Sequence, residues 1–140
     1  MKNLALISHG HPDIAIGGAE VASYNLFRQL NARSADFSAT FIARCPPGNF
    51  SHDAPFRMHR GRHNEWLWNL DGYDWFRSLS TKPDVLKKGL DQLFAIVNPH
   101  IVHIGHYVHF GLELIDFCHE AGVPVVLTLH EYYGMCARNG

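Results

Sequence analysis

The residues best suited to chemistry lie near the amino terminus, in Ser8-His9-Gly10-His11-Pro12-Asp13 and on through Gly17-Gly18-Ala19-Glu20. Gly17 and Gly18 precede Ala19, Ala22, Leu26 and Leu30, an i, i+3, i+7, i+11 stripe that predicts a helix over 18–32. Two adjacent glycines allow a sharp turn and leave no Cβ in the way of an approaching group. The unpaired N–H groups of the first helical turn and the positive end of its dipole would then form an anion site suited to phosphate. A tight strand-to-helix turn without a ligand is the plainer alternative. A second polar stretch, Gly105-His106-Tyr107-Val108-His109, and a third, from His130-Glu131 to Gly140, carry further imidazoles. The chain holds eleven histidines in 140 residues, a number that needs explaining.

The elements that must position these loops alternate. Asn3–Ile7 reads as a short strand buried on both faces and Phe37–Ala43 as a second, closed by Arg44-Cys45-Pro46-Pro47-Gly48-Asn49. Phe56–His59 is a candidate third strand. Glu65–Leu79 holds all three tryptophans, as an aromatic lid beside the site or as a helix or irregular segment with its rings against the sheet. Pro83–Val97 is a helix with Pro83 at its first position and Leu86, Leu90, Leu93 and Val97 on one face, ended by Asn98-Pro99. Ile101–Ile104 is a strand, His106–Ala121 a helix capped by Gly122, and Val123–Leu129 a β-branched strand.

This alternation predicts an α/β fold: a Rossmann-like, mostly parallel sheet with helices on both faces. One domain spans 1–140, with an aromatic-rich insertion over about 48–80. Ligands bind such sheets beyond the carboxyl ends of the strands, where strand order reverses. All three polar loops follow carboxyl ends. His9, His11, His106, His109 and His130, with Tyr107 between two of them, are therefore expected along one cleft.

Composition narrows the class. Hydrophobic residues make up 46% and charged residues 18%, as in a soluble globular domain. The net charge is -1, with no basic run longer than Lys87-Lys88, so nucleic acid is not indicated. Cys45, Cys118 and Cys136 are odd in number and form no CxxC pair, which fits a reducing, cytoplasmic setting. The first residues read as neither a signal peptide nor a membrane-spanning segment. Cys136 reads as a packed thiol. No cofactor is expected.

Two metal readings arise. His100, His103, His106 and His109 recur every third residue, but their elements do not place them on one face, and His103 reads as a core histidine with a hydrogen-bond partner. His11-Pro12-Asp13 resembles the zinc-binding start of deacetylases that act on N-acetylglucosamine derivatives. It departs at Ile14, where that pattern has a second aspartate, and no later His-x-x-His pair completes a ligand set. No metal site is expected; a zinc-dependent deacetylase stays as an alternative function. A binding-only Rossmann-like domain is another, though GxGxxG is missing after the first strand.

A further resemblance covers both ends of the chain. Ser8–Pro12 with Gly17-Gly18-Ala19-Glu20, Pro99-His100-Ile101-Val102-His103, and Thr128-Leu129-His130-Glu131-Tyr132-Tyr133 followed by Cys136 resemble the acceptor-side half of family 4 glycosyltransferases of the GT-B fold. His100 stands where those enzymes have aspartate. The resemblance implies retaining, metal-independent transfer of a sugar from a nucleotide diphosphate sugar to a sugar or lipid-linked acceptor. It places Gly17 and Gly18 at the donor diphosphate and makes His130 the catalytic residue over the transferred sugar. His9, His11, Glu20, His106, Tyr107, His109 and Glu131 would line the acceptor cleft, although Glu20 is equally explained by the helix dipole. It further implies a second, nucleotide-holding Rossmann-like domain that this sequence lacks. The chain then reads as an incomplete first half, inactive alone, with peripheral membrane association and an apolar truncated edge as further expectations.

Overall fold

A computed structural model describes residues 1–33, 35–46 and 55–131. In chain order the elements are β1 (Lys2–Ser8), α1 (Gly18–Arg33), β2 (Phe37–Arg44), β3 (Phe56–His59), β4 (Arg62–Trp68), β5 (Tyr73–Asp74), β6 (Leu79–Ser80), α2 (Pro83–Val97), β7 (Ile101–Ile104), α3 (Glu113–Glu120) and β8 (Val125–Leu127). Six strands form one sheet in the order β3-β4-β2-β1-β7-β8. Only β3 runs antiparallel to its neighbour. The fold is therefore the expected mostly parallel Rossmann-like sheet. Its strand order reverses between β1 and β7, in register from Leu4↔Ile101 to Ile7↔Ile104.

Alternation along the strands splits the core. Leu6, Phe41 and Ala43 face α1 and pack with Phe27. Ala5, Ile7, Ile42, Trp68, Val102 and Ile104 face the other way, onto α2 and α3, packing with Leu90, Leu93 and Phe117 among others. Helices thus cover both faces. At the amino ends Asn3 ties the sheet to the end of α2: its Nδ2 donates to the carbonyls of Val97 and Asn98, both at 3.2 Å. Asn98 is left-handed (φ 47°) and its N–H closes the helix on Phe94 O.

Two expectations change. The aromatic-rich stretch supplies a sheet strand, not a helix or irregular segment: Trp66 and Trp68 lie on β4, which pairs in parallel with β2. Trp68 is fully buried, its ring stacked between Phe56 and Phe110. The helix expected over 106–121 begins only at Glu113: Phe110 and Gly111 N–H close a turn on Tyr107 O, but His109 (φ 71°) and Gly111 (φ 90°) are left-handed and stop it from continuing as a helix.

The inward face of α1 also differs from the predicted stripe. Glu20, Ser23 and Phe27 are its buried residues, while Leu26 is 38% exposed. Two of those three are polar, so a hydrophobic pattern could not reveal the face. In α2, Gly89 is explained by close approach. A Cβ there would lie 2.5 Å from Pro55 Cγ and 2.8 Å from the ring of Trp68. Gly89→Ala is therefore expected to lower stability by about 1–3 kcal/mol through overpacking, outweighing the ~1 kcal/mol of helix propensity it gains. Urea unfolding of the variant measures the balance.

Val126, Leu127 and Leu129 are exposed on and after edge strand β8. No helix among the described residues is long and apolar enough to cross a membrane.

Candidate functional site

The switch point lies between β1 and β7, and the loops leaving their carboxyl ends meet there. His9 follows β1 directly. Its Nε2 is 3.1 Å from Glu20 Oε1, and its ring lies tilted against that of His106 from the loop after β7, the centroids 4.3 Å apart. Val108 N–H donates to His106 Nδ1 at 3.2 Å, so the His106 proton sits on Nε2, which faces Glu131 Oε2 at 3.6 Å. A small cleft beside this pair is lined by Gly105, His106, Tyr107, Thr128, His130 and Glu131.

Burial holds the pKa of both imidazoles below its ordinary value, against the pull of Glu20 and Glu131 on His9 and of Glu131 on His106. His9 also disfavours a charge on His106. Near neutral pH the site presents neutral imidazoles flanked by carboxylates, a set able to donate to and accept from hydroxyl groups. Ser8 Oγ and His9 Nδ1 are buried at the end of β1 with no hydrogen-bond partner among the described residues.

The glycine pair divides. Gly18 opens α1, is exposed, and has open space where a Cβ would stand. Gly17 is half-buried because the Glu20 side chain folds back over it: a Cβ at 17 would collide with Glu20 Oε2, and one at Gly10 would meet Glu20 Cγ at 2.9 Å. The helix start thus already has a carboxylate against Gly17, and its open side is at Gly18.

The predicted residues separate into three places. His9, Glu20, His106, His130 and Glu131 come together at the switch point, with His130 and Glu131 on the exposed lip. Tyr107 lines the cleft while it is buried in the core. His109 packs instead against Tyr73 and Trp75, at ring distances of 5.6 and 5.2 Å. His11 leaves the cleft grouping altogether. It is fully buried, accepts from Asp13 N–H at Nδ1 (3.1 Å) and points Nε2 at Glu65 (3.0 Å). The turn that sets Pro12 and Asp13 aims this ring under α1 instead of out along the edge.

That second cluster escaped sequence reading. Glu65 accepts from both His11 and Arg62, the latter at 2.7 Å, and lies 3.3 Å from the hydroxyl of Tyr24. Asp13 faces His59 Nε2 at 2.9 Å, with Arg60 at 3.2 Å. Ligand atoms of His11, Asp13 and His59 lie within 4.8 Å of one another, close enough for a metal ion. However, both nitrogens of His11 are already engaged, and the Asp13 carboxylate sits among positive guanidinium groups. The arrangement is a satisfied polar network that staples the β1–α1 loop to β3 and β4. His103 has the expected hydrogen-bond partner, its Nε2 lying 2.7 Å from Thr128 Oγ1, but it is half-buried and not a core residue. His100 lies at the opposite, amino-terminal end of β7, bonded to Asn3.

The family model for Glycosyltransferase Family 4 matches residues 16–138, most of the chain. The chain belongs to this family. The matched span takes in Gly17, Gly18, Glu20, His106, His109, His130 and Glu131, while His9 and His11 lie before it. No curated protein matches this family 4 chain in sequence. Membership gives it a glycosyltransferase-type function and sugar-related substrates in general. It also removes support from the zinc-deacetylase alternative, whose proposed ligand His11 has no free nitrogen. Tyr132, Tyr133 and Cys136 fall outside the described residues.

Proposed function

We propose that this chain is the acceptor-side half of a retaining, metal-independent glycosyltransferase that moves a sugar from a nucleotide diphosphate sugar to an acceptor hydroxyl. The observation that carries the reading is the meeting of His9, His106 and the His130 loop at the switch point, within a family 4 chain. The donor diphosphate approaches the start of α1 on the Gly18 side, where N–H groups and the helix dipole oppose its charge. On the Gly17 side the Glu20 carboxylate would repel it, so Gly17 acts by making room for Glu20. His130 hydrogen-bonds the transferred sugar. His106 and Glu131 order the acceptor beside it, and the acceptor proton leaves on the departing diphosphate. Base and ribose contacts come from a second Rossmann-like domain.

The test is transfer from a panel of nucleotide diphosphate sugars, by the 140-residue chain and by a polypeptide in which such a domain follows it. The chain alone is expected to give no turnover and to bind nucleotide diphosphates more weakly than micromolar. The longer form is expected to transfer, and His130→Ala in it to lose about a hundredfold in kcat. Turnover by the chain alone, or full activity in the His130 variant, would contradict the reading.

A further inference from the structure

The hairpin β5–β6 stands apart from the main sheet as a two-stranded unit. Its turn presents Trp75, 52% exposed, and Phe76, 82% exposed. Large exposed aromatics on a loose loop would mean little, but this turn is built. Asp74 Oδ1 accepts the N–H groups of Phe76 and Arg77, both at 3.0 Å, and Ser78 is held left-handed at φ 57°. The hairpin is also tied to the segment that follows β7. Leu112 N–H donates to Ser78 O at 2.9 Å, and Ser80 N–H to Glu113 Oε1 at 2.9 Å. That segment carries His106 of the cleft.

His109 joins the two. Its ring meets Trp75 edge-on at 5.2 Å and Tyr73 at 5.6 Å, and Tyr73 and Trp75 meet each other at 5.1 Å. Burial, aided by the positive charge of Arg44 and by His9 and His106 when they are protonated, lowers the His109 pKa to about 4. The imidazole is thus a neutral third ring at physiological pH. His109 keeps this place although its φ of 71° is costly for a residue with a Cβ.

We propose that this hairpin is a sugar-stacking platform, with the Trp75 indole taking one face of a pyranose ring of the acceptor beside the His106 cleft. The proposal rests on the glycosyltransferase reading and extends it to the acceptor's chemical class, a saccharide. The C–H bonds on one face of a pyranose are polarised by the ring and hydroxyl oxygens, and they match the negative face of an indole. The hydroxyls at the ring's edge need polar partners close by. Asp74 and Arg77 lie on either side of Trp75 in the same turn, His109 meets the edge of the indole, and His106 lies along the same loop as His109. A lipid tail would leave those polar groups without partners.

The experiment is a titration of the 140-residue chain with methyl glucoside, maltotriose, cellotriose and chitotriose, following the three indole N–H resonances. Trp75 is assigned by its loss in Trp75→Phe. At least one saccharide is expected to shift the Trp75 resonance saturably, leaving those of Trp66 and Trp68 in place. Trp75→Ala is expected to weaken that binding about tenfold and Trp75→Phe less, both with unchanged thermal unfolding. No response to any saccharide, unchanged binding by Trp75→Ala, or a Trp75 response to uridine instead would overturn the platform. Sugar transfer by the longer polypeptide then separates the failures. Transfer without saccharide binding at Trp75 sinks the platform alone, and binding without transfer sinks the glycosyltransferase reading alone.

Discussion

Glu65→Ala is expected to cost about 3–5 kcal/mol, the range for removing one partner of a buried ion pair. Glu65 is 4% exposed. Burial raises the pKa of its carboxyl, but hydrogen bonds from Arg62 and His11 outweigh that and hold it below the usual carboxylate range. Removing it strands three donors. The His11 N–H is the most expensive, because that side chain is fully buried and its other nitrogen is engaged. The Tyr24 hydroxyl loses an acceptor, and the Arg62 guanidinium loses its main one. Arg62 is 38% exposed and can turn to water, so the loss is expected in the lower half of the range.

Two comparisons separate this mechanism from simple loss of packing. Asp13→Ala removes a carboxylate that is 30% exposed but leaves the buried His59 Nε2 as well as the exposed Arg60 without it, so it is expected to cost about 1–3 kcal/mol, less than Glu65→Ala. Glu65→Leu combined with His11→Phe removes both buried partners and is expected to recover much of the loss. Urea unfolding of all three measures it. A Glu65→Ala cost below about 1 kcal/mol, the worth of an exposed pair, would show that the network is not what staples the β1–α1 loop.

How much of this was legible beforehand follows from what each residue touches. α2 and β7 were read to their ends because Pro83, the leucine row and Asn98 are local signals that no distant contact overrides. The switch-point meeting of His9 and His106 followed from topology alone. What stayed hidden depends on pairing across the sheet. Glu65 lies in register with Phe41 on the α1 face, a position periodicity assigns to an apolar residue, and only three-dimensional neighbours show it to be paired. His11 looked like His9, two residues away, yet the intervening turn sends one ring to the cleft and the other beneath α1. Aromatic content marked 64–79 as special without separating Trp68, a core ring, from Trp75, an exposed one.

Stability is expected to fall as pH drops from about 6.5 toward 4, before most carboxylates titrate. Burial lowers the pKa of His9, His11, His103, His106 and His109 from the ordinary 6.5, that of His109 to about 4. A group with a folded pKa below its unfolded one takes up a proton more readily when the chain unfolds. Between the two values the unfolded state binds more protons, so stability rises with pH across that window and is lost as pH falls through it. Each such histidine contributes at most about 1.4 kcal/mol per pH unit, reduced for those partly open to solvent. Glu65 and Asp13 have depressed pKa values, so their contribution is lost at still lower pH and in the same direction. The check is urea unfolding at pH 7.5, 6.0 and 5.0. His109→Asn, chosen because asparagine tolerates the left-handed backbone there, is expected to flatten the slope. A stability profile level from pH 7.5 to 5.0 would mean that these imidazoles are hydrated in solution, and the neutral His9–His106 pair at the switch point would no longer stand.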